Sequence, residues 1–378
     1  MEQKRILHIT EELSAAGIES FIMNVYRNID REKIQFDFLV LRNCKEFYDD
    51  EIKSLGGKKY YIHSEKKNTL LRVIEEAKLL KKFLKTHHYN IVHIHYTTPL
   101  RAFYLKAAKQ AGVTTRIYHS HSAEVCGKSK LKILVYKYCK KILMKYGTHF
   151  FACSMAAANW VYPISAIREG KVEVIYNGIN TEKFSFNEEK RNEIRRELKI
   201  QDDMVFINTG RFTQQKNQSF IFKIMSAMKM EYKNIKLILL GDGLLRRNYE
   251  DEVNDEGLKE DVIFLGVREN VQDYLCASDC YIMPSLYEGL PVAGIEAQCS
   301  GIPCLFSTNI TKEVSINKNV KFLSLNQSVE EWAKVAIKLA GIGHIDDVEV
   351  IGAGYDIKDV VNKLEKFYLD LAGGKYEN

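Results

Sequence analysis

The sequence predicts an α/β protein of two parallel-sheet domains, and three observations carry that expectation. Its 378 residues exceed what one ordinary hydrophobic core supports. Short β-rich runs alternate with amphipathic helical segments along both halves, the rhythm of strand–helix–strand crossovers. Between the halves stands an Asn-Gly turn, Asn177-Gly178, after which the pattern starts again.

In the first half, strands are expected at Arg5–Ile9, Phe36–Val40, Lys59–Ile62, Ile91–His95, Thr115–His119 and His149–Ala152, with helices such as Ile18–Asn28 and Leu70–Lys85 between them. The strand-like Val172–Ile175 leads to the turn, and the charged helix Asn187–Leu198 opens the second half. There, strands are expected at Val205–Thr209, Lys236–Leu240, Val262–Leu265, Cys280–Met283 and Pro303–Phe306. Helices are expected at Ser219–Met230, Asn270–Ala277 and Val292–Cys299. Residues 1–176 are thus assigned to the first domain and 177–356 to the second. The last periodic segment, Asp356–Leu371, is expected to pack back on the first domain through residues 357–372. Ligands of open parallel sheets bind outside the carboxyl ends of the strands. Two such domains therefore leave a cleft, and the informative residues should stand just after strands.

Composition narrows the class. With 46% hydrophobic and 28% charged residues the chain is of globular type, and no run approaches the roughly 20 apolar residues that span a bilayer. Ile6–Thr10 is too short for the core of a signal peptide and suits a first strand, so a cytoplasmic protein is expected. A net charge of +6 without a nucleic-acid-binding motif gives no case for nucleic acid as a partner. The eight cysteines are scattered without zinc-type spacing and are taken as reduced core thiols.

In the second half, Met283–Pro291 follows a strand and precedes a helix. Pro291 suits a first helical turn, where its missing N–H costs nothing, and Gly289 lets a ligand approach the backbone. The helix should stop at Gly301, before Pro303. Its free N–H groups and positive dipole end suit a diphosphate. Glu296 sits amid Ala293, Ile295 and Ala297, where a carboxylate needs a bonding partner. Ribose hydroxyls would serve; so would a buried arginine. Glu288 alone could be a solvated loop residue, but together with Glu296 and the intervening Gly-Leu-Pro it points to a polar ligand. Upstream, Gly210–Asn217 also joins a strand to a helix, and its Arg211 and Lys216 could clamp a diphosphate. Gly241-Asp242-Gly243 follows a further strand but lacks the dinucleotide fingerprint spacing.

These motifs resemble a known family. Glu288 to Glu296 fits the E-x7-E pattern of retaining GT-B glycosyltransferases, and Gly210–Asn217 resembles their G-R-x-x-x-x-K-N segment. With Asn177–Asn180, Phe264-Leu265-Gly266 and Gly301-Ile302-Pro303, the chain is similar to glycosyltransferase family 4, and most to its bacterial capsular and exopolysaccharide members. The resemblance implies a GT-B architecture, two Rossmann-like domains facing across a cleft. It implies that Arg211 and Lys216 bind the donor diphosphate, with Gly210 and Gly241 in the same site. It places Glu296 on the ribose, Glu288 on the donor sugar, Gly289, Leu290 and Pro291 against sugar and phosphate, and Val267–Val271 near the base. A UDP-sugar is the commonest donor in such families, and a saccharide or polyprenyl-linked saccharide the acceptor, with retention of anomeric configuration. The nucleotide-sugar is a substrate, so no cofactor is implied. With no Asp-x-Asp at a strand end, no divalent metal is expected to be required.

In the first half, Ser14–Glu19 follows the first strand, with Ala16-Gly17 where the family has Gly-Gly; Gly17 is assigned to the donor-phosphate side. His93 and His95 lie on one strand, His119 and His121 at the end of another. The family carries a histidine at that strand end against the donor sugar, which matches His119 first and His121 second. Two His-x-His pairs without a carboxylate at obvious spacing give no metal assignment. Lys128–Lys145 interleaves lysines with Leu131, Ile133, Leu134, Ile142, Leu143 and Met144, a basic amphipathic helix. It would either pack on the domain or attract an anionic membrane surface at the inner face of the cell membrane. Competing activities on this fold are a sugar-nucleotide epimerase or a phosphorylase, and outside catalysis a silent sugar-nucleotide-binding protein.

Overall fold

A computed structural model describes residues 3–14, 17–121, 130–346 and 348–371. The chain forms two compact units, Met1–Gly178 with Ile357–Asn378, and Ile179–Asp356.

The first unit is built on a seven-stranded sheet. Its strands are β1 (Lys4–Ile9), β2 (Ile34–Val40), β3 (Lys59–Tyr61), β4 (Ile91–Tyr96), β5 (Thr115–Ser120), β6 (His149–Ala152) and β7 (Val172–Val174). Their order is β3-β2-β1-β4-β5-β6-β7, every pair parallel. Helices cover both faces, which is why β2 and β4 are buried throughout. Helices Gly17–Asn28 and Ile357–Asp370 lie on one face, where Phe21, Tyr26, Val360, Leu364 and Tyr368 share a core with Ile6, Phe36, Phe38 and Phe151. Lys4 fastens the last helix by donating to the Leu369 carbonyl at 2.6 Å. The chain returns to this unit where Gly178 passes close to Ile357, whose Cα would lie 3.0 Å from a Cβ added there.

The second unit carries β8 (Met204–Thr209), β9 (Ile235–Leu240), β10 (Val262–Gly266), β11 (Cys280–Met283), β12 (Cys304–Ser307) and β13 (Val320–Leu323). The order is β10-β9-β8-β11-β12-β13, again parallel. Its core packs Phe206, Phe222, Leu237, Ile282 and Trp332. Strand β13 and the helices Ala102–Gln110, Arg246–Asp255 and Val329–Ala340 stand beyond the elements expected from sequence. Described cysteines are unbridged, and all but Cys44 are buried. No helix among the described residues is long and apolar enough to cross a membrane.

Candidate functional site

In the second sheet the strand order reverses between β8 and β11, so their following helices leave on opposite sides and open a crevice at the carboxyl ends. The two loops singled out in the sequence are the ones at this point. They are stitched together: the Leu286 N–H donates to the Gln215 carbonyl at 2.8 Å, the Gln215 amide to the Tyr287 carbonyl at 3.0 Å, and the Asn217 amide to the Pro284 carbonyl at 3.0 Å. Asn217 turns the chain with a left-handed φ of 56° before helix Gln218–Lys229.

This bracing sets Lys216 against Glu288, Nζ to Oε1 at 2.7 Å, with side chains 17% and 10% exposed. The Lys216 stem lies over Gly210, where a Cβ would meet the Lys216 Cε at 3.3 Å and the φ of 151° strains any side chain. Gly241, with φ 132°, is pressed still closer: a Cβ there would overlap the Gly210 carbonyl oxygen. The exits of β8 and β9 therefore touch through backbone, and both positions require glycine. Arg211 is exposed, with no ion-pair partner among the described residues. Val267, 78% exposed, follows Gly266 beyond β10.

The helix after β11 runs Val292–Cys299. Pro291 is its N-cap, with extended backbone (ψ 111°), rather than a first-turn residue as expected from sequence. Its carbonyl accepts from the Gly294 N–H at 3.0 Å. Gly289 and Leu290 lead into this helix end, half-buried. Gln298, which the sequence did not mark, anchors the helix from below. It donates to the Val314 carbonyl at 2.6 Å and accepts from the N–H groups of Ile316 and Asn317 at 2.9 and 3.0 Å. A glutamine in an apolar helix carries no sequence signal for that task.

Glu296 is half-buried on the same helix. Burial raises its carboxyl to about pH 7, against a weaker opposing pull from the Lys183 charge. No arginine or lysine forms an ion pair with it among the described residues, so the arginine that could have satisfied it is not there. A carboxylate in such a place is held ready for donors brought by a ligand.

In the first sheet the order reverses between β1 and β4. Gly17 opens its helix with open space around it; Ala16 lies outside the described residues. Within this helix, Glu19 is buried and accepts from the Thr10 hydroxyl at 3.0 Å, with its carboxyl pushed up to about 7 by burial. Sequence spacing had not distinguished it. The ring of His119 is 0% exposed, wedged edge-on against Phe21 and Phe151 and stacked on His93 and His121. His121 is the member of the pair that keeps partial exposure.

The basic segment forms helix Lys130–Tyr146, with Lys128 outside the described residues. It packs through Cys139, Ile142 and Leu143 near its end. In its opening turns Val135 and Tyr136 pack on the domain, Tyr136 edge-on to Trp160, while Leu131, Ile133, Leu134 and Tyr138 are 72%, 51%, 64% and 60% exposed.

Comparison with known proteins agrees with this geometry. Residues 190–340 match the model of glycosyl transferases group 1, and residues 15–183 that of glycosyltransferase family 4. A Bacillus subtilis protein named as glycosyltransferase EpsF is 33% identical over 97% of this chain and 96% of its own. The Escherichia coli UDP-Gal:alpha-D-GlcNAc-diphosphoundecaprenol alpha-1,3-galactosyltransferase is 26% identical over 98% of each chain. Among solved structures, Anabaena HepE in complex with UDP superposes with a TM-score of 0.76 at 16% identity, over 98% of this chain and 100% of that one, and shares the fold.

Proposed function

Because the chain belongs to the glycosyltransferase family 4 and group 1 enzymes, we propose that it moves a sugar from a UDP-sugar to a saccharide carried on a polyprenyl diphosphate, with retention. The observation that carries the donor half is the Lys216–Glu288 pair at the β8–β11 crevice, set beside a helix end and an unpaired Glu296. Lys216, Arg211 and the N–H groups opening helix Val292–Cys299 hold the diphosphate, Glu296 accepts from the ribose hydroxyls, and Glu288 accepts from the sugar. As the bond from the sugar's anomeric carbon to the β-phosphate oxygen breaks, the departing UDP gains charge that these donors stabilise. The acceptor hydroxyl forms the new bond on the same face, and its proton passes to the departing phosphate oxygen. Two cations and a helix end suffice to stabilise the leaving group, so transfer proceeds without a divalent ion bridging the diphosphate.

The polyprenyl acceptor is supported by the E. coli relative, whose name specifies such a substrate, and by the lysine-rich helix with exposed apolar turns. That helix suits the surface of an anionic bilayer, where a lipid-linked substrate resides. The test is a panel of nucleotide-sugars screened by thermal shift and by turnover, with magnesium or with a chelator. A UDP-sugar should raise the melting point, and incubation with a polyprenyl-diphosphate saccharide should release UDP and yield an α-linked product. Failure of every nucleotide-sugar to bind would reject the donor site, and full dependence on magnesium would reject the metal-free leaving-group role.

A further inference from the structure

We infer that the carboxyl ends of β1, β4 and β5 form a transition-metal site, a zinc-type ion held by His95, His119 and His121 and backed by His8 and His93. Five of the chain's ten histidines meet on one face of these neighbouring strands. Parallel register sets His8 beside His93 and His95 beside His119. The two-residue strand period puts His93 with His95, and His119 with His121, on a common side. Nearer the amino ends the same face carries Ile6, Ile91 and Ile117, packed with Phe36, Phe38 and Phe151. The layer thus changes from aliphatic to imidazole just where the sheet order reverses. An apolar core has no need of that change.

Hydrogen bonding accounts for only half of the ring nitrogens. His8 Nδ1 meets His95 Nε2 at 2.9 Å, His95 Nδ1 meets His121 Nε2 at 2.9 Å, and His93 Nδ1 meets the Tyr368 hydroxyl at 2.6 Å. His8 Nε2, His93 Nε2, both nitrogens of His119 and His121 Nδ1 are buried without a hydrogen bond. The Ile175 backbone lies near His119 and favours its charged form, but outside hydrogen-bond geometry. Each buried polar atom left so costs on the order of 1–3 kcal/mol, and native cores seldom collect them. Burial also keeps the rings neutral, with lone pairs free.

Neutral imidazoles without carboxylates select zinc, copper or nickel over magnesium or calcium. One donor atom each from His95, His119 and His121 lie within 4.8 Å of one another. A tetrahedral ion with bonds of about 2.0–2.1 Å needs a spacing near 3.4 Å, so modest side-chain rotation closes the triad. The other nitrogen of His95 faces His8, the supporting bond that orients a metal-bound imidazole. His8, His93 and His95 make a second triad within the same limit, but all three are buried. His121 keeps partial exposure, which gives the first triad an entry path and a place for water as fourth ligand.

The test uses the full chain, free of any affinity tag and stripped with a chelator, titrated with Co²⁺ and then Zn²⁺. One Co²⁺ per chain should bind with the strong visible bands of a four- or five-coordinate nitrogen site and no near-ultraviolet thiolate band. Zn²⁺ should displace it and raise the melting temperature. His119→Asn and His121→Asn should each weaken binding by at least about 100-fold, while His63→Asn, exposed and outside the cluster, should not. Weak octahedral bands, no stoichiometric binding, or binding unchanged in both cluster variants would overturn the site. Should the variants fail to fold, the spectrum of the unaltered chain decides.

Discussion

Lys216 has two prospective partners, and their competition gives the sharpest test of the donor site. In the free protein its ammonium is 2.7 Å from Glu288, with both side chains mostly withdrawn from water. A diphosphate must take Lys216 from Glu288 or share it. A charge-assisted hydrogen bond contributes about 1.5–3 kcal/mol, and the Lys216–Glu288 pair given up in exchange offsets about 1 kcal/mol of it. Lys216→Met should therefore weaken UDP binding by about 2- to 30-fold and leave uridine nearly unchanged, since uridine lacks the diphosphate. Glu288→Gln removes the competitor, so UDP should bind about two- to fivefold more tightly even as turnover falls by about 100-fold through loss of sugar positioning. Titration calorimetry with UDP and uridine at one ionic strength reads both effects. If Lys216→Met weakens uridine as much as UDP, or Glu288→Gln weakens UDP as much as Lys216→Met does, the pair is a structural strut and not a diphosphate clamp.

Glu296 gives a pH dependence. In the proposed donor site ribose hydroxyls donate to its ionised form, so affinity for a UDP-sugar should climb up to tenfold per unit below pH 7 and level off above; Glu296→Gln should flatten the profile. Because the folded carboxyl keeps its proton above the ordinary value of 4.5, it contributes stability that the unliganded protein loses as pH rises from there through about 7. That falling component should be missing from pH-dependent denaturation curves of Glu296→Gln. Gly241→Ala, which drives a methyl group into the Gly210 carbonyl, should destabilise the second unit by about 3 kcal/mol. Gly170→Ala, at φ 69° in open space, should cost only about 1 kcal/mol, and equal urea midpoints for the two would refute the contact. Leu131→Ser with Leu134→Ser should cut sedimentation with anionic vesicles at least tenfold; unchanged binding, or equal binding to neutral vesicles, would remove the membrane role.

Strands and most crossover helices were legible because apolar runs and their punctuation are local. Val292–Cys299 was placed to the residue, since Pro291 before and Gly301 after bound it, although proline serves as cap and not as first turn. Strand β13 escaped because Lys321 interrupts four residues that only burial beside β12 identifies. Glu296 could be flagged from its apolar neighbours, but nothing local showed that arginine would be absent. The Lys216–Glu288 contact joins residues 72 positions apart in the chain, and it exists only because β8 and β11 are neighbours. The basic helix had two readings in sequence, packed or free. Periodicity cannot decide between them, because an apolar stripe looks the same whether or not anything covers it.

His8 shows where such legibility ends. Between Leu7 and Ile9 in a strand it looks like a tolerated core histidine, and the paired His93 and His95 look like another strand's peculiarity. Register alone turns them into one cluster, and register depends on which strands are adjacent. The two sheets then differ in a physically informative way. At the reversal of the second, the charged Lys216 and Glu288 are paired and keep slight exposure, 17% and 10%. At the reversal of the first, the polar groups are withdrawn from water, where burial keeps them neutral. Exposed charge suits a ligand that arrives and leaves at each turnover. Neutral, enclosed donors suit one that stays, because an ion bound by buried imidazoles is desolvated once and then engages otherwise unbonded nitrogens of His119 and His121. The first sheet therefore has the properties of a resident site and the second those of a substrate site.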